Sequence, residues 1–164
     1  MNKYLCSLLC MVVGLMLFSG CGSLSNSHPT PTEGTDWEPT IYETVNNLDG
    51  VTMSAKEETV SSTGLTVAFK NNSDKQCIYG DDFLLEKEID GGWYQVPIAL
   101  ADNYGFNDIG YDLANSDVRE WTVDWGWLYG KLDTGEYRIV KSILDFRSAR
   151  NYDKCHLTAE FTIE

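Results

Sequence analysis

The chain has 164 residues, 43% of them hydrophobic, which is enough apolar material for one domain with its own core. Its 25 Asp and Glu against 12 Lys and Arg give a formal net charge of −13 at pH 7. This excess of negative charge argues against nucleic-acid binding and against adsorption to anionic lipid headgroups, and it favours basic partners or divalent cations.

The first 20 residues have the composition of a secretory signal peptide. Lys3 is their only charged side chain, and an apolar run over residues 5–18 follows it. That run is shorter than the ~20 apolar residues that a membrane-spanning helix needs. Ser19-Gly20-Cys21 resembles the lipobox of bacterial lipoproteins, where the cysteine is diacylated and the chain is cut before it. We therefore expect a signal peptide over residues 1–20, with Cys21 as a lipid anchor in the bilayer at the extracytoplasmic face. An ordinary secreted protein is the alternative.

A polar segment over residues 21–40 follows the expected anchor. It consists mainly of Ser, Thr, Pro, Gly and Asn, with Leu24 and Trp37 as its large apolar residues. A segment with so little apolar surface cannot form a core, so we expect a flexible tether. The folded domain is then expected over residues 41–164.

Period-two alternation predicts short antiparallel strands throughout this domain. Apolar and polar residues alternate over residues 65–69 and 157–163, as in strands that are buried on one face. Asp90-Gly91 indicates a hairpin turn, and residues 137–144 are apolar on both parities, which is typical of a central strand. About seven such strands, with no convincing helical period, predict an all-β, immunoglobulin-like β-sandwich.

Tyr137 directly follows the turn sequence Asp133-Thr134-Gly135-Glu136. At this place in an immunoglobulin-like sandwich, a tyrosine forms the tyrosine corner, in which its hydroxyl bonds to the backbone between strands E and F. We predict this corner for Tyr137, and an ordinary core tyrosine is the alternative.

Several short segments share one family pattern. They are Leu65-Thr66-Val67, Asn71-Asn72-Ser73, Tyr79-Gly80, Phe83 with Leu85-Glu86-Lys87, Gly92-Trp93, Asp124-Trp125, Tyr129-Gly130, Leu132, Gly135 and Tyr137-Arg138-Ile139-Val140-Lys141. Together they resemble the bacterial Ig-like domains of lipoproteins and membrane proteins from Firmicutes, over about residues 50–164. The resemblance implies the fold and a cell-surface setting, and no activity or binding residue that could be transferred.

Residues for catalysis are not evident, and we predict that the chain is not an enzyme. His28 lies in the tether, and His156 lies on the polar parity of the last strand, where it is expected to face solvent. Cys155 and His156 are strand neighbours that point to opposite faces, so they cannot form a thiolate–imidazole pair. No nucleophile, phosphate-binding or zinc motif is present. A pair of carboxylates acting as a glycosidase is the catalytic alternative.

Oxygen-bearing side chains are concentrated in residues 102–117. They are Asp102, Asn103, Asn107, Asp108, Asp112, Asn115 and Asp117. Such side chains suit calcium, but their spacing fits no EF-hand loop, and the same residues form turns in ordinary solvated loops. We therefore predict no metal site and no cofactor, with calcium as the alternative.

Aromatic residues are the candidates for ligand binding. Trp121 and Trp125 share the parity of Val123, so all three are expected to face the core. Trp127 comes after Gly126, where the alternation breaks. We predict Trp127 and Tyr129 as exposed binding residues, and core packing is the alternative.

Cys77 and Cys155 are the cysteines that remain once the signal peptide is removed and Cys21 is lipidated. Secretion permits a disulfide between them. If both cysteines were in mid-strand, their Cα atoms would lie roughly 9–10 Å apart, beyond the ~7 Å limit for a disulfide. Residues 71–76 and 147–154, however, are the expected B–C and F–G loops, which meet at one end of such a sandwich. We predict the disulfide, with two free thiols as the alternative.

These features predict a membrane-anchored, extracytoplasmic lipoprotein with a non-catalytic binding or accessory module. Its partner is expected to be an envelope protein or a wall component. The tether is expected to turn the B–C and F–G loops toward the membrane and to leave the end with Trp127 pointing outward. A peptidase inhibitor or another enzyme-regulatory domain at the envelope is the alternative function.

Overall fold

The computed structural model describes residues 37–100 and 103–164. The predicted signal peptide, Cys21 and His28 lie outside the described residues. Within the two described ranges, no helix has the length and apolar character needed to cross a bilayer.

The described residues form nine β-strands, one 3-10 turn and one short α-helix. The strands are β1 (Val51–Ala55), β2 (Gly64–Asn71), β3 (Cys77–Tyr79), β4 (Leu84–Ile89), β5 (Gly92–Gln95), β6 (Tyr111–Leu113), β7 (Val118–Asp124), β8 (Gly135–Ser148) and β9 (Asn151–Ile163). The 3-10 turn spans Glu57–Thr59, and the helix α1 spans Gly126–Tyr129.

The strands build two antiparallel sheets. The smaller sheet has the order β1-β2-β7. In the six-stranded sheet β8 is central: β9 pairs with one side of it, while β3 and β4 pair one after the other along the opposite side. β5 then lies outside β4, and β6 lies outside β3. The predicted immunoglobulin-like β-sandwich is confirmed, with β8 and β9 in the places of strands F and G.

The core lies between the two sheets and follows the strand periodicity. On β8, Ile139 pairs with Leu85 of β4 and with Ala159 of β9, and all three side chains are buried. The expectation that Trp121 and Trp125 face inward is confirmed. Trp125 is fully buried, and Trp121 packs against the core while remaining partly exposed.

A bulge separates β3 from β4. Tyr79 pairs with Ile143 and Leu84 pairs with Val140, so four residues of one strand, 80–83, lie beside only two residues of β8. Extra residues in one strand disrupt the ladder locally and leave backbone groups without their usual partners.

Lys141 of β8 points into this bulge from the core side. Its Nζ donates to the carbonyl oxygens of Gly80 and Asp82, the latter at 2.6 Å. The same nitrogen lies 4.0 Å from the ring centre of Trp121. Burial lowers the pKa of Lys141 to about 8, while Asp82 and Asp81 oppose the shift. A buried amine thus supplies the donors that the bulged carbonyls need.

Residues 37–46, which we call the N-terminal strap, cross the outer face of the six-stranded sheet. At the β5 edge, the Thr40 amide donates to Trp93 O and the Gln95 amide donates to Glu38 O. At the β9 edge, the Asn46 amide donates to His156 O at 2.7 Å. The tether predicted over residues 21–40 is therefore too long at its end, because residues 37–40 belong to the folded domain.

The strap covers polar side chains on that face. Arg138 Nε donates to Glu86 Oε2 at 2.6 Å, and both residues are buried. His156 lies on the outer face as predicted, but its ring is 4.6 Å from that of Tyr42 in the strap. Burial lowers the pKa of His156. The expected solvent-facing histidine is thus half-buried, because the strap lies over it.

Tyr137 is the first side chain of β8 that faces the core. Its hydroxyl donates to Asp133 O at 3.0 Å, and its side chain is 2% exposed. The ring stacks on Phe161 of β9. This is the geometry that a tyrosine corner requires.

Cys77 and Cys155 are free thiols, so the predicted disulfide is absent from the structure. The expected F–G loop is a tight turn, because β8 ends at Ser148 and β9 begins at Asn151. Cys155 therefore lies inside β9, opposite Ile143, whereas Cys77 pairs across the other side of β8. A whole strand separates the two cysteines, which is the arrangement that forbids the bond. Burial raises the pKa of the Cys77 thiol to about 11.

Candidate functional site: an aromatic groove beside Trp127

The periodicity of helix α1 determines which aromatic side chains near it are exposed to solvent. Asp124 Oδ1 accepts a hydrogen bond from the Gly126 amide at 2.8 Å, at the point where β7 turns into the helix. Residues three and four apart share a helix face, so Leu128 and Tyr129 follow the buried Trp125 into the core. Trp127 falls on the opposite side and is 49% exposed.

Tyr129 is therefore buried, and the prediction that it is exposed is wrong. Its side chain is 7% exposed. Its hydroxyl accepts a hydrogen bond from the Leu85 amide at 3.4 Å, and burial raises its pKa to about 12. The signal was present in the sequence, because Tyr129 lies four residues after the inward Trp125.

Trp127 lines a groove of about 330 Å³. The other aromatic walls are Phe83, Phe106 and Trp121, and two carboxylates, Asp81 and Asp124, also line it. We call this cavity the aromatic groove. Phe83 comes from the bulge between β3 and β4, Trp121 and Asp124 from β7, and Phe106 from the loop before β6, so distant parts of the chain build one site.

The aromatic rings of the groove pack edge to face. Phe106 lies 6.0 Å from Trp127 with an interplanar angle of 74°, and Phe83 lies 5.9 Å from Trp121 with an angle of 63°. Tyr104, which is 46% exposed, extends the row beyond Phe106. Edge-to-face contacts of this kind fix ring orientations. Sequence reasoning missed Phe106, because no periodicity marks a residue in an irregular loop.

Hydrogen bonds orient both carboxylates of the groove. Asp81 Oδ2 accepts from Asn107 Nδ2 at 3.1 Å. A hydrogen bond to Asp81 also raises the pKa of Tyr111. Asp124 is fixed by the Gly126 amide. Among the described residues, no Lys, Arg or His side chain lines the groove, so all of its charged side chains are acidic.

Comparison with known proteins identifies the family that has this architecture. The model of the bacterial Ig-like domain family matches residues 47–162. The chain belongs to the bacterial Ig-like domain family. The match includes strands β1 to β8 and nearly all of β9. It also includes all the residues that line the aromatic groove. No curated protein and no solved structure matches the chain. Membership suggests a non-catalytic accessory or binding module of the kind usually found on the cell surface.

Several of the oxygen-bearing side chains considered as calcium ligands have hydrogen-bond or ion-pair partners within the chain. Asp112 accepts a hydrogen bond from Gln76, and Asp117 pairs with Arg119 at 2.9 Å. Asn107 contacts Asp81 instead. Asp102 lies outside the described residues, and within residues 37–100 and 103–164 no group of three His, Cys, Asp or Glu could hold a metal ion.

The aromatic groove of this Ig-like domain has the side chains of a binding site. It presents indole and phenyl faces for stacking and two oriented carboxylates for polar contacts. Cys155 and His156, the thiol and imidazole nearest in sequence, lie on β9 and point to opposite faces of its sheet. Open aromatic faces beside oriented carboxylates suit recognition of a ligand.

Proposed function

We propose that the protein is a lipid-anchored, extracytoplasmic binding module that engages an envelope protein or a wall component through the aromatic groove. The observation that carries the proposal is the half-exposed Trp127 in the wall of a concave site. Exposed aromatic side chains in concave sites are typical hot spots of recognition. A tryptophan needed only for the core would be buried, as Trp125 is.

The anchor in this proposal rests on the amino-terminal sequence. Ser19-Gly20-Cys21 follows a charged start and an apolar run, the order that precedes a lipidated cysteine. Two acyl chains would hold the protein stably at the membrane, where one chain would not. The usual cell-surface location of bacterial Ig-like domains agrees with this anchor.

The position of the strap changes the expected orientation of the domain. The chain was expected to enter at the end with the B–C and F–G loops. Instead Glu38 and Thr40 bond to the edge of β5, and Pro39 bridges to Tyr94 there. Residues 21–36, as a flexible chain, would span roughly 22 Å. The proposal is therefore that the domain stays near the membrane and meets its partner there. Neither end of the sandwich is proposed to face permanently away from the membrane.

The binding function is tested by replacing Trp127 with alanine in the full chain. Capture of partners from the native cell envelope should fall, because the replacement removes the exposed wall of the groove. Tyr152→Ala is a matched control: Tyr152 is also 49% exposed, but it lies on β9, away from the groove. Equal capture by wild type and Trp127→Ala, with both correctly folded, would show that the binding surface lies elsewhere.

The anchor is tested by Cys21→Ala. Metabolic labelling with a fatty-acid precursor should tag the wild-type protein and leave the variant untagged, because the variant lacks the acylated thiol. The variant should also be released from the membrane fraction. Equal labelling of both proteins would refute lipidation at Cys21.

A further inference from the structure

The charged side chains that line the aromatic groove are all negative. Asp81 and Asp124 both line it, and no basic side chain of the described chain does. Lys141 interacts with Asp81 from behind Trp121, but it is buried and does not line the groove. The chain as a whole has a formal net charge of −13. The field of the two carboxylates disfavours an anionic ligand and attracts a cation.

The aromatic walls of the groove are suited to the same kind of ligand. An ammonium or guanidinium group is attracted to the face of an indole ring. The domain already uses this contact internally, because Lys141 Nζ lies 4.0 Å from the ring centre of Trp121 and the Arg138 guanidinium lies 4.4 Å from that of Trp93. Trp127 carries no such internal cation among the contacts of the described residues, and half of its surface is open. Of the two indoles that line the groove, Trp127 is therefore the one open to a cation from outside.

We propose that the aromatic groove binds the cationic side chain of a basic peptide segment, a lysine or arginine that lies against Trp127 and pairs with Asp81 and Asp124. This proposal rests on the function proposed above and names the chemistry of its ligand. A neutral sugar would stack on the rings and donate hydroxyl hydrogen bonds to the carboxylates, but it would leave their negative charge uncompensated. A cationic side chain contacts the rings and also neutralises that charge.

The probe is a capped hexapeptide that contains three arginines, compared with the same peptide carrying citrulline at those positions. Citrulline keeps the shape and the hydrogen-bonding ureido group but has no charge. Binding to the full-length chain in a non-ionic detergent is followed by tryptophan fluorescence. The arginine peptide should saturate the signal and bind at least about tenfold more tightly than the citrulline peptide, and added salt should weaken its binding.

Asp81→Asn and Asp124→Asn test the carboxylates separately. Each should weaken binding of the arginine peptide by about three- to tenfold and leave binding of the citrulline peptide unchanged. Asparagine keeps a side-chain oxygen, so the hydrogen bond from the Gly126 amide can persist at position 124. Glu160→Gln is the matched control, because Glu160 is exposed on the outer face of β9. It should leave the affinity unchanged.

The outcomes separate this inference from the proposed function. Equal binding of the two peptides, or no effect of either aspartate replacement, overturns the cationic ligand. The aromatic groove would still be the binding surface if Trp127→Ala lowered partner capture in the same preparation. If Trp127→Ala changes neither peptide binding nor partner capture, both proposals fail. Should Asp124→Asn not fold, the peptide comparison and Asp81→Asn still decide.

Discussion

Lys141→Met is expected to change how the stability of the domain depends on pH. Burial lowers the pKa of Lys141 from its ordinary value of 10.5 to about 8. Between these two values, the unfolded chain keeps a proton that the folded domain has lost. The unfolded state therefore binds more protons in this window, and the contribution of Lys141 to stability rises as the pH increases from 8 to 10.5.

The magnitude follows from the size of the shift. One pKa unit corresponds to about 1.4 kcal/mol, so the fall from 10.5 to about 8 amounts to roughly 3 kcal/mol. Integration of the proton difference assigns about 2 kcal/mol of this to the interval from pH 8 to pH 10. Lys141 is fully buried, so solvent screening does not reduce the value. A neutral amine still has two N–H groups for the Gly80 and Asp82 carbonyls, so the contact survives the loss of the proton.

The assay is urea unfolding of wild type and Lys141→Met at pH 7, 8, 9 and 10. The free energy of unfolding of wild type relative to the variant should increase by about 2 kcal/mol between pH 8 and pH 10. Cys77 and Tyr129, whose pKa values burial raises to about 11 and about 12, act in the opposite direction. They are present in both proteins and cancel in the difference. A difference that stays constant with pH would mean that the lysine keeps its proton, and the reasoning would be refuted.

Three further replacements test the corner and the groove. Tyr137→Phe removes the hydroxyl that donates to Asp133 O, and it should lower the free energy of unfolding by about 0.5–1.5 kcal/mol; an unchanged unfolding midpoint would argue against the corner. Trp127→Ala should cost about 1 kcal/mol, mainly because it removes the edge-to-face contact with Phe106, whereas Tyr129→Ala should cost about 3 kcal/mol in the same urea titration. Similar losses for both would contradict the burial difference between these two neighbours.

Local alternation in the sequence was sufficient to predict the fold. Residues 65–69 and 157–163 form parts of β2 and β9 with the predicted faces inward. This works because strand side chains alternate with period two, whatever the rest of the chain does. The F–G loop was misplaced, since residues 147–154 are polar and resemble a loop although most of them continue the hairpin of β8 and β9.

The candidate site was predictable only in part. Trp127 was identified because the alternation breaks after Gly126, but a one-turn helix follows there, and its spacing of three and four residues buries Tyr129. Phe106 and Asp81 could not be found, because they reach the groove from an irregular loop and from a strand bulge. Lys141 gives no sequence signal either, since the carbonyls that hold it lie about 60 residues earlier in the chain.

The N-terminal strap also protects the domain against self-association. β5 and β9 are edge strands, and unpaired backbone groups at such edges recruit strands from other molecules. Glu38 and Thr40 bond to backbone groups of β5. Asn46 bonds to two backbone groups of β9: its amide donates to His156 O, and its side chain accepts from the Thr158 amide. Proteolytic shedding before Trp37 would release a domain with these edges still covered. A cut between Thr40 and Asn46 would leave residues 37–40 attached to the domain by non-covalent contacts alone. Their loss would expose the edge of β5 as a template for β-aggregation.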